Sequence, residues 1–218
     1  MRSTWAGRGG GAEKIRPMRI SLDDLLASPE RVAGLRENLS QGGVAAIPTE
    51  TFYGLAASPW SAQGCERIFA LKGRAAEKAL PVLIAAAEDL GKLGVDAPAG
   101  SLDRFLALWP AALTVIVAVR MPLPCAPGDA SLAVRVPAHG RLRRLLSGTG
   151  PLTGTSANRS GEPPLSSPDA VLAAFGRQID VLVDGGETPG GRATTIVDAR
   201  LEPPRVLRAG AFPWPETR

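Results

Sequence analysis

The segment Val44-Ala45-Ala46-Ile47-Pro48-Thr49-Glu50-Thr51-Phe52-Tyr53-Gly54 decides how the chain is read. Val44–Ile47 is a short apolar run between turn formers, Gly42-Gly43 before it and Pro48 after it, and so reads as a buried strand. Pro48 stops that strand and opens a hydroxyl-rich loop from Thr49 to Gly54. A strand ending in such a loop places donors and acceptors where a ligand could approach the sheet edge. The same hydroxyls could instead satisfy local backbone groups in a structural turn. Tyr53 is the only tyrosine of the chain.

Upstream of the strand, Ser28 suits an N-cap and Pro29 a first helical turn. Val32, Leu35 and Leu39 follow at helical spacing, and Gly42-Gly43 ends the helix. The regular pattern begins at Ser28. Downstream, Ser61 caps a second helix whose apolar face holds Ile68, Phe69 and Leu71, with Gly73 at its end. Leu80–Ile84 reads as a strand, and Ser101 as the cap of a helix through Leu108 that Trp109-Pro110 halts. Strands at Leu113–Val119 and Leu132–Val136 flank a Pro-rich turn, and a short basic helix follows at Arg141–Leu146. A strand near Leu152 opens into Thr155-Ser156-Ala157-Asn158. A helix at Ala170–Phe175 and strands at Ile179–Val183, Thr194–Val197 and Val206–Arg208 complete the body. No linker or repeat interrupts this order, so the expectation is one α/β (α+β) domain with a mixed parallel and antiparallel sheet and helices packed on it.

Composition narrows the function classes. At 218 residues the chain is long enough for one well-packed core. Its 25 Gly and 20 Pro predict many turns, below the roughly 25–30% combined share of low-complexity chains. An excess of 25 Lys and Arg over 21 Asp and Glu gives a charge of +4, which fits a basic cleft for nucleotide or tRNA and equally an Arg-rich solvated surface. Cys65 and Cys125 are far apart with no C-x-x-C pair, which argues against zinc, redox and secreted disulfide frameworks. No apolar run approaches the roughly 18 residues of a membrane span. Residues 1–17 are Gly- and Arg-rich and lack the apolar centre of a signal peptide, so they read as a disordered leader before a domain over 18–218, with Met18 as an alternative start. The expected location is the cytoplasm.

Several chemistries are excluded by residue type. His139 is the only histidine, so no His-rich metal site exists, and neither a G-x-x-x-x-G-K-[ST] loop nor a G-x-G-x-x-G fingerprint occurs. Gly154-Thr155-Ser156-Ala157-Asn158 approaches a nucleophile elbow but lacks its final Gly, and His139 precedes the serine instead of following it. Lys72-Gly73-Arg74 sets two cations where both could reach a polyphosphate, although basic residues at a helix C-terminus are also favoured by the helix dipole. Short polar side chains at Thr155–Asn158 could bind ribose or phosphate, or cap the next turn. In Ser131-Leu132-Ala133-Val134-Arg135-Val136, strand alternation puts Arg135 on one face with Ser131 and Ala133. An inward-facing Arg needs an anionic partner, either a ligand carboxylate or a structural acid.

In this order, the strings P-T-E-T-F-Y-G-L, K-G-R, W-P-A-A-L-T, A-V-R-V-P, T-S-A-N-R-S-G, D-G-G, T-T-I-V-D and V-L-R-A-G resemble the YrdC family from about Pro29 to Gly210. The resemblance implies a twisted mixed sheet forming a large basic cavity. It implies synthesis of threonylcarbamoyl-AMP from L-threonine, bicarbonate and ATP, with release of pyrophosphate and with Mg²⁺ accompanying ATP but no dedicated protein ligands for it. The product would pass to a threonylcarbamoyl-transferase machinery that modifies tRNA adenosine beside the anticodon, with possible tRNA contact and no membrane partner. On the same resemblance Thr51, Arg135, Thr194 and the Gly154 backbone would line the threonine pocket. Lys72, Arg74, Ser131, Ser156, Asn158 and Arg208 would hold ATP, with Lys72 and Arg74 assisting the chemistry. Ala111-Ala112 replace the usual Gly-Pro of the tryptophan motif, Ala75 and Ala79 replace prolines, and Thr194-Thr195 stands where many relatives have Ser-Thr. Two other readings compete: a non-catalytic module binding double-stranded RNA or tRNA, and a paralogue that adenylates another carbamate. The low aromatic content, 5%, disfavours a base-stacking platform.

Overall fold

The computed structural model describes residues 17–73 and 79–214. The sequence Val44–Ile47 forms a strand as expected, here β2 (Ala45–Pro48), preceded by β1 (Met18–Ser21), α1 (Leu22–Leu26) and α2 (Pro29–Ser40). Ser28 caps α2 by accepting from the Arg31 N–H at 3.2 Å, with Pro29 in the first turn; such caps are worth about 1 kcal/mol. Next come β3 (Tyr53–Ala56) and α3 (Ala62–Lys72), which Ser61 caps through Gly64 and which ends on Gly73 in the left-handed region at φ 56°. β4 (Val82–Leu83), a 3-10 helix (Ala87–Leu93), α4 (Asp103–Leu106), β5 (Leu113–Ala118) and β6 (Ser131–Arg135) follow. The chain closes with α5 (Gly140–Thr149), β7 (Leu152–Thr153), β8 (Thr155–Ser156), α6 (Pro168–Phe175), β9 (Val181–Asp184), β10 (Thr195–Asp198) and β11 (Arg205–Arg208).

The mixed α/β class is as expected, but the strands divide into two sheets. One has the order β1-β9-β2-β3-β8 and the other β11-β10-β5-β6-β4-β7, each with parallel and antiparallel neighbours. The segment from Leu152 to Ser156 belongs to both. β7 pairs with β4 in the second sheet and β8 with β3 in the first, with Gly154 at the crossover. The Thr153 N–H donates to the Ala57 carbonyl at 2.8 Å, while its hydroxyl accepts from the Ala57 N–H at 2.9 Å. A main core unites the sheets around Tyr53, Leu55, Ile68, Phe105, Val134 and Phe175. A second buries Leu22, Leu35, Leu39, Leu142 and Leu145 under α1, α2 and α5.

Three local expectations are corrected. Among the described residues regular structure starts at Met18 and not at Ser28, because β1 gains its strand pairing from the distant β9. The loop after Pro48 ends at Phe52, since Tyr53 and Gly54 pair with Pro48 and Ile47 in β3. Ser101 does not cap α4, whose cap residue is Leu102 without a side-chain bond; the Ser101 hydroxyl instead donates to the Pro98 carbonyl at 2.8 Å. Among the described residues no helix is long and apolar enough to cross a membrane.

Candidate active site

The loop between β2 and β3 is folded on its own hydroxyls. Thr49 Oγ1 donates to the Phe52 carbonyl at 2.7 Å, accepts from the Thr51 N–H at 3.1 Å and lies 3.1 Å from Thr51 Oγ1. The Thr51 carbonyl accepts from the Gly190 N–H at 2.6 Å, which ties the loop to the segment before β10. Tyr53, fully buried, donates to the Gly186 carbonyl at 2.9 Å and accepts from the Gly185 N–H at 3.1 Å. Burial raises the pKa of this phenol, which therefore stays protonated and holds the Asp184-Gly185-Gly186 turn.

Glu50 leaves the loop to meet Arg135 at the end of β6. Arg135 is only 6% exposed; its guanidinium pairs with the Glu50 carboxylate and has its Nε buried without a hydrogen-bond partner among the described residues. The register of the second sheet sets what surrounds it. Val134 faces Val115 across β5 and β6, so Arg135 and Thr114 occupy the next rung, and on the other side Arg135 pairs with Leu83. Thr114 Oγ1 lies 3.1 Å from Thr194 Oγ1. Arg208, on β11, donates to the Thr194 carbonyl from Nε at 3.0 Å and Nη2 at 2.8 Å, and to the Thr194 hydroxyl at 3.0 Å. Gly154 sits against Leu83: a Cβ there would lie 2.5 Å from Leu83 Cδ1. Arg135, Thr194, Arg208 and Gly154 thus share one end of this sheet.

A second cluster lies where α3 meets β8. Lys72, 4% exposed, donates from Nζ to the Ser156 carbonyl at 2.6 Å, the Asn158 carbonyl at 3.0 Å and Asn158 Oδ1 at 3.1 Å. Ser156 Oγ donates to Asn158 Oδ1 at 2.6 Å, and Asn158 Nδ2 donates to the Glu162 carbonyl at 2.7 Å. Since only Thr155 separates Ser156 from Gly154, the two clusters are joined through the crossover segment. Arg74 lies outside the described residues.

Ser131 stands apart. It begins β6 where Arg135 ends it, about 13 Å away at ~3.3 Å per residue. Its hydroxyl donates to Asp129 at 2.7 Å, beside the Arg200–Asp198 pair. Hydrogen bonds from Arg200 hold the Asp198 carboxyl below the usual carboxylate range. Burial raises both Cys65 and Cys125 to about 12, so neither is a thiolate at neutral pH. Among the described residues no three His, Cys, Asp or Glu side chains gather as a cation site. A shallow cavity of about 350 Å³ lies elsewhere, lined by Leu26, Val32, Arg36 and Arg144 and by none of the residues above.

Sequence reading missed Glu50 as the partner of Arg135. It required an anion for that arginine, and the one acidic residue within the hydroxyl loop was the available signal.

A family model described as "Telomere recombination", Sua5_yciO_yrdC, matches residues 37–210. A protein of Pyrococcus abyssi named threonylcarbamoyl-AMP synthase is 35% identical over 82% of this chain and 53% of its own length. A threonylcarbamoyl-AMP synthase of Stutzerimonas stutzeri is 36% identical over 82% of this chain and 96% of its own. The crystal structure of P. abyssi Sua5 complexed with L-threonine superposes with a TM-score of 0.76 at 32% identity, covering 91% of this chain and 58% of that one. This chain therefore spans about half of the longer relatives and nearly all of the shorter one. The family match from β2 through β11, which takes in both residue clusters, together with these relatives, shows that the chain belongs to the Sua5/YciO/YrdC family.

Proposed function

We propose that this chain makes L-threonylcarbamoyl-AMP from L-threonine, bicarbonate and ATP, releasing pyrophosphate. The observation that carries the reading is the buried Arg135, whose Nε has no hydrogen-bond partner among the described residues, beside the hydroxyls of Thr114 and Thr194. A guanidinium so placed suits a carboxylate, and neighbouring hydroxyls suit a hydroxylated side chain. Relatives named threonylcarbamoyl-AMP synthase, and a relative's structure in complex with L-threonine, support the same substrate.

In this account Arg135 holds the threonine carboxylate, while Thr51, Thr194 and the Gly154 backbone enclose the rest of the amino acid. The threonine nitrogen, once its ammonium has released a proton to solvent, bonds to the carbon of bicarbonate as water leaves, which gives a carbamate. A carbamate oxygen then bonds to the α-phosphorus of ATP as the bond to pyrophosphate breaks. Lys72, Arg74, Ser156, Asn158 and Arg208 serve the nucleotide. Ser131, distant from Arg135 along β6, is within reach only of the longer substrate. No side chain need act as nucleophile, so positioning and fixed positive charge supply the catalysis. Mg²⁺ would neutralise phosphate charge and arrive with ATP, its coordination completed by phosphates and water. The adenylate would serve tRNA modification through a downstream transferase, with tRNA contact itself a further expectation.

Incubation with ¹³C-bicarbonate, threonine and ATP tests the assignment. Mass spectrometry should find one ¹³C in an AMP-linked threonine product. An adenylate without that carbon would overturn the reading.

A further inference from the structure

Glu50 stands between two threonines in the loop after β2, yet its carboxylate leaves the loop's own hydrogen bonds and turns to β6 and the chain beyond it. Oε1 accepts from the Ala138 N–H at 3.0 Å and pairs with Arg135. Oε2 is buried and, like Arg135 Nε, has no hydrogen-bond partner among the described residues. The result is an ion pair with one unused acceptor on the anion and one unused donor on the cation. Leaving buried polar atoms without partners is unfavourable, and a ligand that bonded to both would gain two charge-assisted hydrogen bonds.

The ligand class follows from that pairing. An α-amino acid carries its carboxylate and its ammonium on one carbon, so any site for both must set a cation and an anion side by side. We propose that Glu50 is the counter-ion of the substrate α-ammonium: the zwitterion enters between the two side chains, its carboxylate on Arg135 and its nitrogen on Glu50 Oε2. One buried ion pair becomes two, and each orphaned atom gains a partner. A carboxylic acid without the amine would take Arg135 and leave Glu50 charged with no counter-ion, an expensive outcome in a buried site. Glu50 thereby selects amino acids over hydroxy acids and holds the nitrogen that will be carboxylated. The inference rests on Arg135 holding the threonine carboxylate.

The competing account is a purely structural tie between the loop and β6. Calorimetric titration of the wild-type protein and Glu50→Gln with L-threonine and with (R)-3-hydroxybutanoate, which lacks only the amine, separates the two. Glu50→Gln should weaken threonine about 10- to 100-fold, the range for a lost charge-assisted hydrogen bond, and should not weaken 3-hydroxybutanoate but bind it more tightly, since no buried carboxylate is then left without a counter-ion. Equal weakening of both ligands, or unchanged threonine binding, overturns the proposal. If Glu50→Gln does not fold, the wild-type protein decides, since the proposal requires at least about a tenfold preference for threonine. Failure of the wild-type protein to bind either ligand would instead overturn the threonine reading itself, and the role of Glu50 with it.

Discussion

Asn158 holds the ammonium of Lys72 twice, through its carbonyl at 3.0 Å and its Oδ1 at 3.1 Å, while the Ser156 carbonyl accepts from the same nitrogen at 2.6 Å. Lys72, Ser156 and Asn158, three of the side chains proposed to serve ATP, are therefore one connected network. Lys72→Met should lower both the rate and the stability, the latter by about 1–3 kcal/mol for carbonyls left without their donor. Thermal melting measured beside kcat checks this. An unchanged melting temperature would mean that the network contributes nothing to the fold.

Arg135 should show the opposite balance between substrates. Lysine cannot reproduce a bidentate contact with a carboxylate. Arg135→Lys should raise KM for threonine about 10- to 100-fold and leave KM for ATP within a few-fold. Equal defects toward both substrates would contradict the assignment of this arginine to threonine.

The crossover glycine makes a prediction about packing alone. A methyl group at Gly154 would meet Leu83 Cδ1 at 2.5 Å, and Leu83 is fully buried. Overpacking of this kind costs about 1–3 kcal/mol. Gly154→Ala should lower the urea midpoint, and adding Leu83→Ala should recover part of the loss. Purely additive losses in the double variant would show that the two side chains do not meet.

The parts legible in the sequence were those governed by local chemistry. Ser28 with Pro29, Ser61 and Gly73 announce helix ends because a cap is decided within a few residues. β1, β3 and the division into two sheets stayed hidden because long-range pairing makes them. Tyr53–Ala56 is a strand because β2 and β8 flank it, and four residues that include Gly54 carry no strand signal of their own. The need of Arg135 for an anion was readable from its place in an apolar strand. Glu50 was not, since the two residues meet only once both sheets are assembled.

His139 supplies a pH-dependent element of the fold. Its Nδ1 accepts from the Leu142 N–H at 3.0 Å and so caps α5 in the neutral form. Burial lowers its pKa and Arg141 adds to the effect, partly offset by Glu50. Because the folded value is depressed, the unfolded chain takes up the proton first. The stabilisation is complete above the unfolded pKa of about 6.5 and is lost as pH falls through the folded value. His139→Asn keeps a capping oxygen without this titration. The melting temperature of the wild-type protein relative to His139→Asn should fall as pH drops from about 7 to about 5. A flat or rising difference would contradict the cap.

The most direct test of the central claim is pyrophosphate release by the purified protein in complete mixtures and in mixtures lacking threonine or bicarbonate. The account predicts release only when L-threonine, bicarbonate and ATP are all present, with threonine consumed in step. Pyrophosphate appearing at the same rate without threonine would contradict it.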